Sequence, residues 1–376
     1  MRTKASFTVV AVLALLSLPP TGDAAVVDAG TARLINAVEA LSQAVEVPVE
    51  TSPLVTARLS SGESTAIAAV LESLLECQSL TDAVASEALR IWAQDGLPEE
   101  ITWADSMEDC GNQVLLDLDV LAALLDTLLP PVASSVCSPV AVWPILYYER
   151  CGVDTVYLHD YLLVVDVGGN DSYFNNAGGN VVDLMRGPAS PPALVAAPAR
   201  GCQTDAELNT GSGNCFIAEA ALLDQRGNDT YQRRQTPEAD AGCTTDLIVR
   251  RLATGGSGVA GVGILLDQRG DDVYLGKTLA LGMGHSGGFG LLRDREGADS
   301  YSAIRSSVGA GVLVGLGILE EGGGDDLYIP YNPTGGVIDN MGVCRAGNAN
   351  LFGAGLIAAS GLLNERSGTD SYEVTG

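Results

Sequence analysis

Basic residues are scarce in this chain of 376 residues: 20 Lys and Arg stand against 47 Asp and Glu, and Lys4 and Lys277 are the only lysines. The formal charge of −27 therefore reflects missing bases more than abundant acids. That balance excludes a general nucleic-acid binder, because neutralising phosphate needs clustered Lys and Arg. Cations are the natural counterparts. Histidine is rarer still, since His159 and His285 are the only two and neither lies in an H-E-x-x-H or C-x-H spacing. Long apolar runs are missing as well: residues 308–319 come nearest, but they are too few and too glycine-rich for the ~18 apolar residues of a membrane span. No transmembrane segment is expected in the mature chain.

Residues 1–24 read as a secretory signal peptide, with Arg2 and Lys4 as a basic start, an apolar run over 7–18 and a small-residue cleavage site at Gly22-Asp23-Ala24. The expected localisation is secreted or at the cell surface. In an exported chain, Cys77, Cys110, Cys137, Cys151, Cys202, Cys215, Cys243 and Cys344 form an even set without any C-x-x-C, which favours disulfide bonds over metal ligation. Nearness in sequence suggests Cys137 with Cys151 and Cys202 with Cys215. Cys77 with Cys110 would join two helical segments.

Residues 25–130 carry helical periodicity and predict a small α-helical domain. Leu34, Val38, Leu41 and Val45 define a first helix ended by Pro48, and Ile67, Val70, Leu71 and Leu74 a second over 64–77. A third over 81–95 begins at the capping residue Thr81 and ends at Gly96, and a fourth over 114–129 closes at Pro130-Pro131. Residues 131–159 are the junction, where aromatic and β-branched residues take over and 143–163 read as strands. A degenerate first repeat is discernible at Gly152-Val153-Asp154.

From residue 160 to 376 one pattern, D/E-x-x-G-x-D-x-Y, occurs six times, ending at Tyr173, Tyr231, Tyr274, Tyr301, Tyr328 and Tyr372. Two successive spacings are 27 residues and the others 58, 43 and 44, so the unit is about 27 residues with insertions. Upstream of each turn the residues alternate, as in Gly261, Gly263, Leu265 and Asp267, and period two means strand. The predicted class is mainly β: a parallel β-solenoid of about 27-residue coils, preceded by the small helical domain, in which each coil buries its apolar face on its neighbours. Its hand is left open. Tyrosines stacked from coil to coil would form a ladder along the solenoid edge.

In-register stacking would also align the acids in two columns. The first is Asp166, Asp224, Asp267, Asp294, Glu321 and Glu365; the second is Asp171, Asp229, Asp272, Asp299, Asp326 and Asp370. Charges ~4.8 Å apart repel by ~3.5 kcal/mol at an effective dielectric of 20, so something must offset them. Asx-turns exposed to water are one solution, and a bound hard cation is the other. Gly169-Asn170-Asp171-Ser172-Tyr173, Gly227-Asn228-Asp229-Thr230-Tyr231 and Gly324-Asp325-Asp326-Leu327-Tyr328 resemble the second half of the G-G-x-G-x-D-x-U-x calcium-binding nonapeptide of RTX proteins. Here Asp or Glu replaces the opening glycine and the motif is never in tandem. The resemblance implies Ca²⁺ as cofactor and the twelve column acids as its ligands.

The long gaps carry their extra residues after the tyrosine, within 174–215, 232–253 and 329–351, so three insertions should emerge from one corner and build a binding surface. A cell-surface polysaccharide or protein is the expected partner, and a secreted binding or structural repeat protein the expected function. The alternative is a carbohydrate-active enzyme, a polysaccharide lyase or hydrolase on a β-helix. A catalytic pair should stand out from the repeat, whereas the paired acids recur in every copy. His285 does break the repeat, since neighbouring copies carry Val312 and Leu356 there, but no nucleophile chemistry is expected around it. Thiol titration of the denatured, unreduced protein is expected to find almost no reactive thiol. Eight reactive thiols would overturn the oxidised framework.

Overall fold

The computed structural model describes residues 27–57, 59–93, 103–128, 138–180, 183–185, 201–204, 213–216, 219–232, 248–250, 255–278, 280–305, 308–312, 314–330, 337–338, 344–345, 355–356 and 359–372. The leader segment 1–24, Cys137 and Cys243 lie outside them. The chain is mainly β, with parallel sheets and a small helical amino-terminal part.

Among the described residues four helices make up that part: α1 (Ala29–Ala44), α2 (Ser52–Thr56), α3 (Ser61–Ala93) and α4 (Ala104–Thr127). Asp28 caps α1 by accepting the N–H groups of Gly30 and Thr31 at 2.9 and 3.1 Å. Ser60 and Glu63 cap α3 reciprocally, with bonds of 3.2 and 2.8 Å between side chain and backbone N–H. The two helices predicted over 64–77 and 81–95 are one continuous helix, α3. Between Gly62 and Gly96 there is neither glycine nor proline, so nothing releases the chain, and Thr81 serves inside the helix as a donor to Glu219 of the large sheet. A disulfide joins Cys77 of α3 to Cys110 of α4 with a Cα–Cα distance of 5.6 Å. Cys151 is disulfide-bonded as well, and no cysteine is free among the described residues.

Each repeat contributes one strand to each of two large sheets. In the first sheet, Leu146–Glu149, Leu163–Asp166, Glu219–Asp224, Val262–Asp267, Phe289–Asp294, Leu316–Glu321 and Ser360–Glu365 run parallel in that order, and the strand Val140–Val142 closes the first edge in antiparallel fashion. In the second sheet, short parallel strands carry the tyrosines in direct register, from Val156–Tyr157 through to Ser371–Tyr372. A third, four-stranded parallel sheet comprises Gly258–Val259, Gly284–His285, Gly311–Val312 and Gly355–Leu356. Parallel pairing thus reaches upstream into the stretch read as a junction. Glu149 stands beside Asp166 and Tyr157 beside Tyr173, although one extra residue separates Glu149 from its tyrosine.

The middle strands of the first sheet are buried on both faces, which explains the unbroken burial of strands such as Val262–Asp267, whereas the last strand, Ser360–Glu365, is exposed or half-buried. Val262, Ile264, Leu266 and Phe289 join a core with Leu71 and Leu74 of α3 and Leu118 and Leu121 of α4. Leu222, Leu265, Leu292 and Leu319 point the other way, into a second core with the tyrosines. Arg226, Arg269, Arg293 and Arg295 on the first sheet and its turns reach α4, the closest pairs being Arg295 to Asp119 at 2.7 Å and, each at 3.1 Å, Arg293 to Asp119 and Arg269 to Asp126. These arginines therefore dock the helix, beyond balancing their turn neighbours.

Glycine is needed where backbones meet. A Cβ at Gly263 would run into the Ser257 carbonyl, so the glycine stripe lets the third sheet lie against the first. At the turns, a Cβ on Gly270 would run into the Gly227 carbonyl of the preceding repeat, and Gly297 stands likewise over Gly270. Gly270→Ala is expected to destabilise by ~1–3 kcal/mol, the range for overpacked sites. The denaturant midpoint measures it, and an unshifted midpoint would mean the turns are not closed on one another.

Candidate metal centre

The acid columns form where strand ends and turn begins. Each first-column acid is the last residue of its strand in the first sheet, and the register sets Asp166, Asp224, Asp267, Asp294, Glu321 and Glu365 side by side. All twelve sequence-predicted acids fall in these two columns. Exposure to water was one of the two expected reliefs for their repulsion, but ten of them are buried, the exceptions being Glu365 and Asp370 in the last repeat. The reason is the position of the tyrosines. Tyr173, Tyr231, Tyr274, Tyr301 and Tyr328 are among the largest fully buried side chains, so the ladder lies inside and not at an edge, and its hydroxyls face the carboxyls.

Hydrogen bonds satisfy most of the carboxyl oxygens. Tyr173 donates to Asp224 Oδ2, Tyr231 to Asp267 Oδ2 and Tyr274 to Asp294 Oδ2, each at 2.6 Å, while Tyr157 donates to Asp166 and Tyr301 to Glu321. The other first-column oxygen makes an Asx-turn: Asp166, Asp224 and Asp267 accept the N–H two residues on, at 2.9, 3.1 and 3.1 Å. The second column works between repeats. Oδ1 of Asp229, Asp272, Asp299 and Asp326 accepts the N–H of the equivalent acid one repeat earlier, at 2.5, 2.5, 2.7 and 2.8 Å. An outer ladder runs in the opposite sense, with Asn228 N–H donating to Asn170 Oδ1 at 2.9 Å and Asp271 N–H to Asn228 Oδ1 at 3.1 Å. The turn is thus clamped from both sides.

One set of oxygens is left over. Oδ2 of Asp171, Asp229, Asp272, Asp299 and Asp326, and Oδ1 of Asp294, are buried and accept no hydrogen bond. All but the Asp326 oxygen belong to clusters that could hold a metal ion: Asp166, Asp171 and Asp224; Asp224, Asp229 and Asp267; Asp267, Asp272 and Asp294; and Asp294, Asp299 and Glu321. Within each cluster one oxygen per residue lies within 4.8 Å of the others. Hard carboxylate oxygens suit Ca²⁺ or Mg²⁺ and not a soft metal. The residues present therefore fit a hard cation, although nothing in the donor set singles out calcium.

Without a cation, protons must do the same work. Burial, reinforced by neighbouring acids, pushes Asp171 up to about 9, Asp272 to about 10 and Glu321 to about 8, and burial raises Asp229 to about 8 and Asp299 to about 7. Asp224 and Asp294 are likewise raised by burial. Two facing carboxylates in a dry site cannot both ionise, so a shared proton per pair is the metal-free solution.

His285 is the second position of Gly284-His285-Ser286-Gly287-Gly288, a G-x-S-x-G spacing that attention to the acids misses and that corrects the reading of this histidine as free of any nucleophile context. Its Nδ1 lies 2.7 Å from Ser286 Oγ, and burial lowers its pKa to about 4. Ser286 has φ 51°, but Ala260, one repeat earlier, has the same φ, so the turn itself sets this conformation. The pair is buried, and the Trp103 ring covers Gly287. This segment runs strand, turn, strand, and lacks the strand-to-helix elbow that exposes a nucleophile.

The raised carboxyls give the metal-free protein a defined pH dependence. A carboxyl whose folded pKa lies above its unfolded value stabilises fully below the unfolded value, near 4, and loses that contribution as pH rises through the folded one. In chelator the melting temperature is expected to fall between pH 6 and 10, spanning the values from about 7 for Asp299 to about 10 for Asp272. Asp272→Asn, which supplies a permanent donor to its neighbour, should flatten that fall. A melting temperature that rises over the same interval would contradict the shared-proton account.

No protein-family model matches the chain, and neither characterised proteins nor solved structures yield a match to it.

Proposed function

We propose that the parallel sheets are successive coils of a β-solenoid of about 27 residues per coil, and that the protein is a secreted binding or structural protein stiffened by calcium along its buried acid columns. The observation that carries the cation reading is the row of buried carboxylate oxygens, Oδ2 of Asp171, Asp229, Asp272 and Asp299, each without a hydrogen bond inside a three-acid cluster. Ca²⁺ is the hard cation abundant outside cells, and the signal-peptide reading of residues 1–24 places the chain there. Asp224, Asp267 and Asp294 each belong to two clusters, so bound ions would tie consecutive coils together through shared ligands.

A partner surface on the insertions is supported by their pairing. Asp183–Met185 of the first insertion pairs antiparallel with Ile248–Arg250 of the second, which brings two of the three to one place. The third carries its own antiparallel pair, Val337–Ile338 with Cys344–Arg345. In the first insertion Cys202 lies opposite Cys215 in the register of Gly201–Thr204 with Gly213–Phe216. A cell-surface polysaccharide or protein is the partner proposed for this corner. A glycosidase would need two carboxyls flanking an open sugar site, whereas the paired acids here are sealed behind tyrosines.

The decisive experiment compares melting and metal content in millimolar calcium and in chelator. A ligand that binds only the folded state adds RT ln(1 + [L]/Kd), about 2.7 kcal/mol at a hundredfold excess over Kd. Calcium is expected to raise the melting temperature of the parent and to co-purify with it. The variant Asp267→Asn, Asp272→Asn, Asp294→Asn, Asp299→Asn should fold but lose the response. Identical melting of the parent in calcium and in chelator would leave the columns to protons alone.

A further inference from the structure

The tyrosines form a second continuous feature that the cation reading does not use. Rings of Tyr157, Tyr173, Tyr231, Tyr274, Tyr301, Tyr328 and Tyr372 stack face to face, with centroid steps of 4.5–4.9 Å and interplanar angles of 2–11°. Offset contact at this range is ordinary for one aromatic pair. Here it continues without a break through seven rings. One end reaches the surface, since Tyr372 is 45% exposed, and at the other Tyr147 meets Tyr157 edge-on at 5.0 Å.

Every phenol in the column also faces a carboxyl, which serves as a base where it is the ionised member of its pair. Tyr173, Tyr231 and Tyr274 donate to Asp224, Asp267 and Asp294 at 2.6 Å, and Tyr157, Tyr301 and Tyr372 donate to Asp166, Glu321 and Glu365. Tyr328 lies beside the Glu365 and Glu321 carboxyls. This matters because a phenol that loses an electron becomes a strong acid. In a dry interior it can be oxidised readily only if a neighbouring group takes the proton at the same moment.

We propose that the tyrosine column is a route for one-electron oxidising equivalents, carrying them from the exposed Tyr372 through the interior toward Tyr157 and Tyr147. The co-reactant is a one-electron oxidant of the radical class, such as a peroxyl radical, meeting the protein at Tyr372. It takes one electron from the phenol and is itself reduced, while the phenolic proton passes to Glu365 and a neutral phenoxyl remains. Tyr328 then reduces that phenoxyl by one electron, Tyr372 recovers its proton from Glu365, and the proton of Tyr328 goes to the carboxylate in turn. Each further step repeats this exchange, so charge and protons balance at every repeat and each proton stays between a phenol and the carboxyl it faces. Burial, which shuts substrates out of the acid clusters, protects the radical from side reactions here. The route depends on the ring column, and its proton acceptors are carboxyls that the cation reading also uses.

The test uses the full chain with Tyr147 replaced by 3-aminotyrosine, a half-buried and easily oxidised trap at the far end. Ruthenium(III) tris-bipyridine, generated by a light flash with persulfate, serves as oxidant, and the aminotyrosyl radical is read by electron paramagnetic resonance. Direct attack on the trap contributes a constant background. In the background of the trap, Tyr301→Phe preserves the stacked ring but removes the oxidisable hydroxyl, and Tyr372→Phe does the same at the exposed entry. Each is expected to lower the radical yield at position 147 by about fivefold while circular dichroism stays unchanged. If Tyr301→Phe perturbs folding by stranding Glu321, Tyr372→Phe at the solvent-facing end still decides the matter. Equal radical yield in the parent and in the Tyr372→Phe protein would overturn the proposal.

Discussion

A column of carboxyls buried side by side is the constraint on which the rest of this structure depends. In-register parallel pairing repeats any side chain at every strand spacing, and when that side chain is an acid the repulsion recurs at each step. The chain answers with a fixed set of donors: a tyrosine hydroxyl and an Asx-turn N–H for the first column, and the N–H of the preceding repeat for the second. These bonds also lock the register. A slip of one residue would turn every tyrosine away from its carboxyl and bring apolar side chains to the acid positions.

The same columns explain the two cores. Interior positions of the first sheet alternate glycine, leucine and acid, which leaves room for the third sheet at one end and the tyrosines at the other. Exterior positions are mostly apolar, Val262, Ile264, Leu266, Phe289 and Leu291 among them, and an apolar face that large must be covered. Helices α3 and α4 cover it, tied to each other by Cys77–Cys110 and to the sheet by buried leucines and a row of arginines opposite Asp119 and Asp126. Surface ion pairs of this kind contribute little stability individually. Their value is in fixing where the helix lies along the repeats.

Function separates along the same lines. What recurs in every repeat, the acids and tyrosines, holds the repeats together, and the proposed cation sites and electron route both lie along it. What occurs once, the insertions, is where a partner could be told apart from any other. His285 and Ser286 are also unique, yet they are buried, with the Trp103 ring over the neighbouring Gly287, so singularity alone does not make a site.

The repeat, its period, the strand alternation and both acid columns were legible in the residues, because each is a local pattern that stacking merely multiplies. The first repeat was only faintly so, since one extra residue between Glu149 and Tyr157 spoils the spacing while the register absorbs it. The continuity of α3 could have been read from the lack of glycine and proline between Gly62 and Gly96, had Thr81 not resembled a cap. Whether the acids face water or the interior was not readable, because a turn of D-x-x-G-x-D-x-Y is equally compatible with either. Only the tertiary structure decided it. The tyrosine two residues beyond each second-column acid folds inward, and the helices close the outer face of the sheet. Burial, the orphaned oxygens and the unbroken ring stack therefore follow from packing between segments far apart in the chain, which no single repeat encodes.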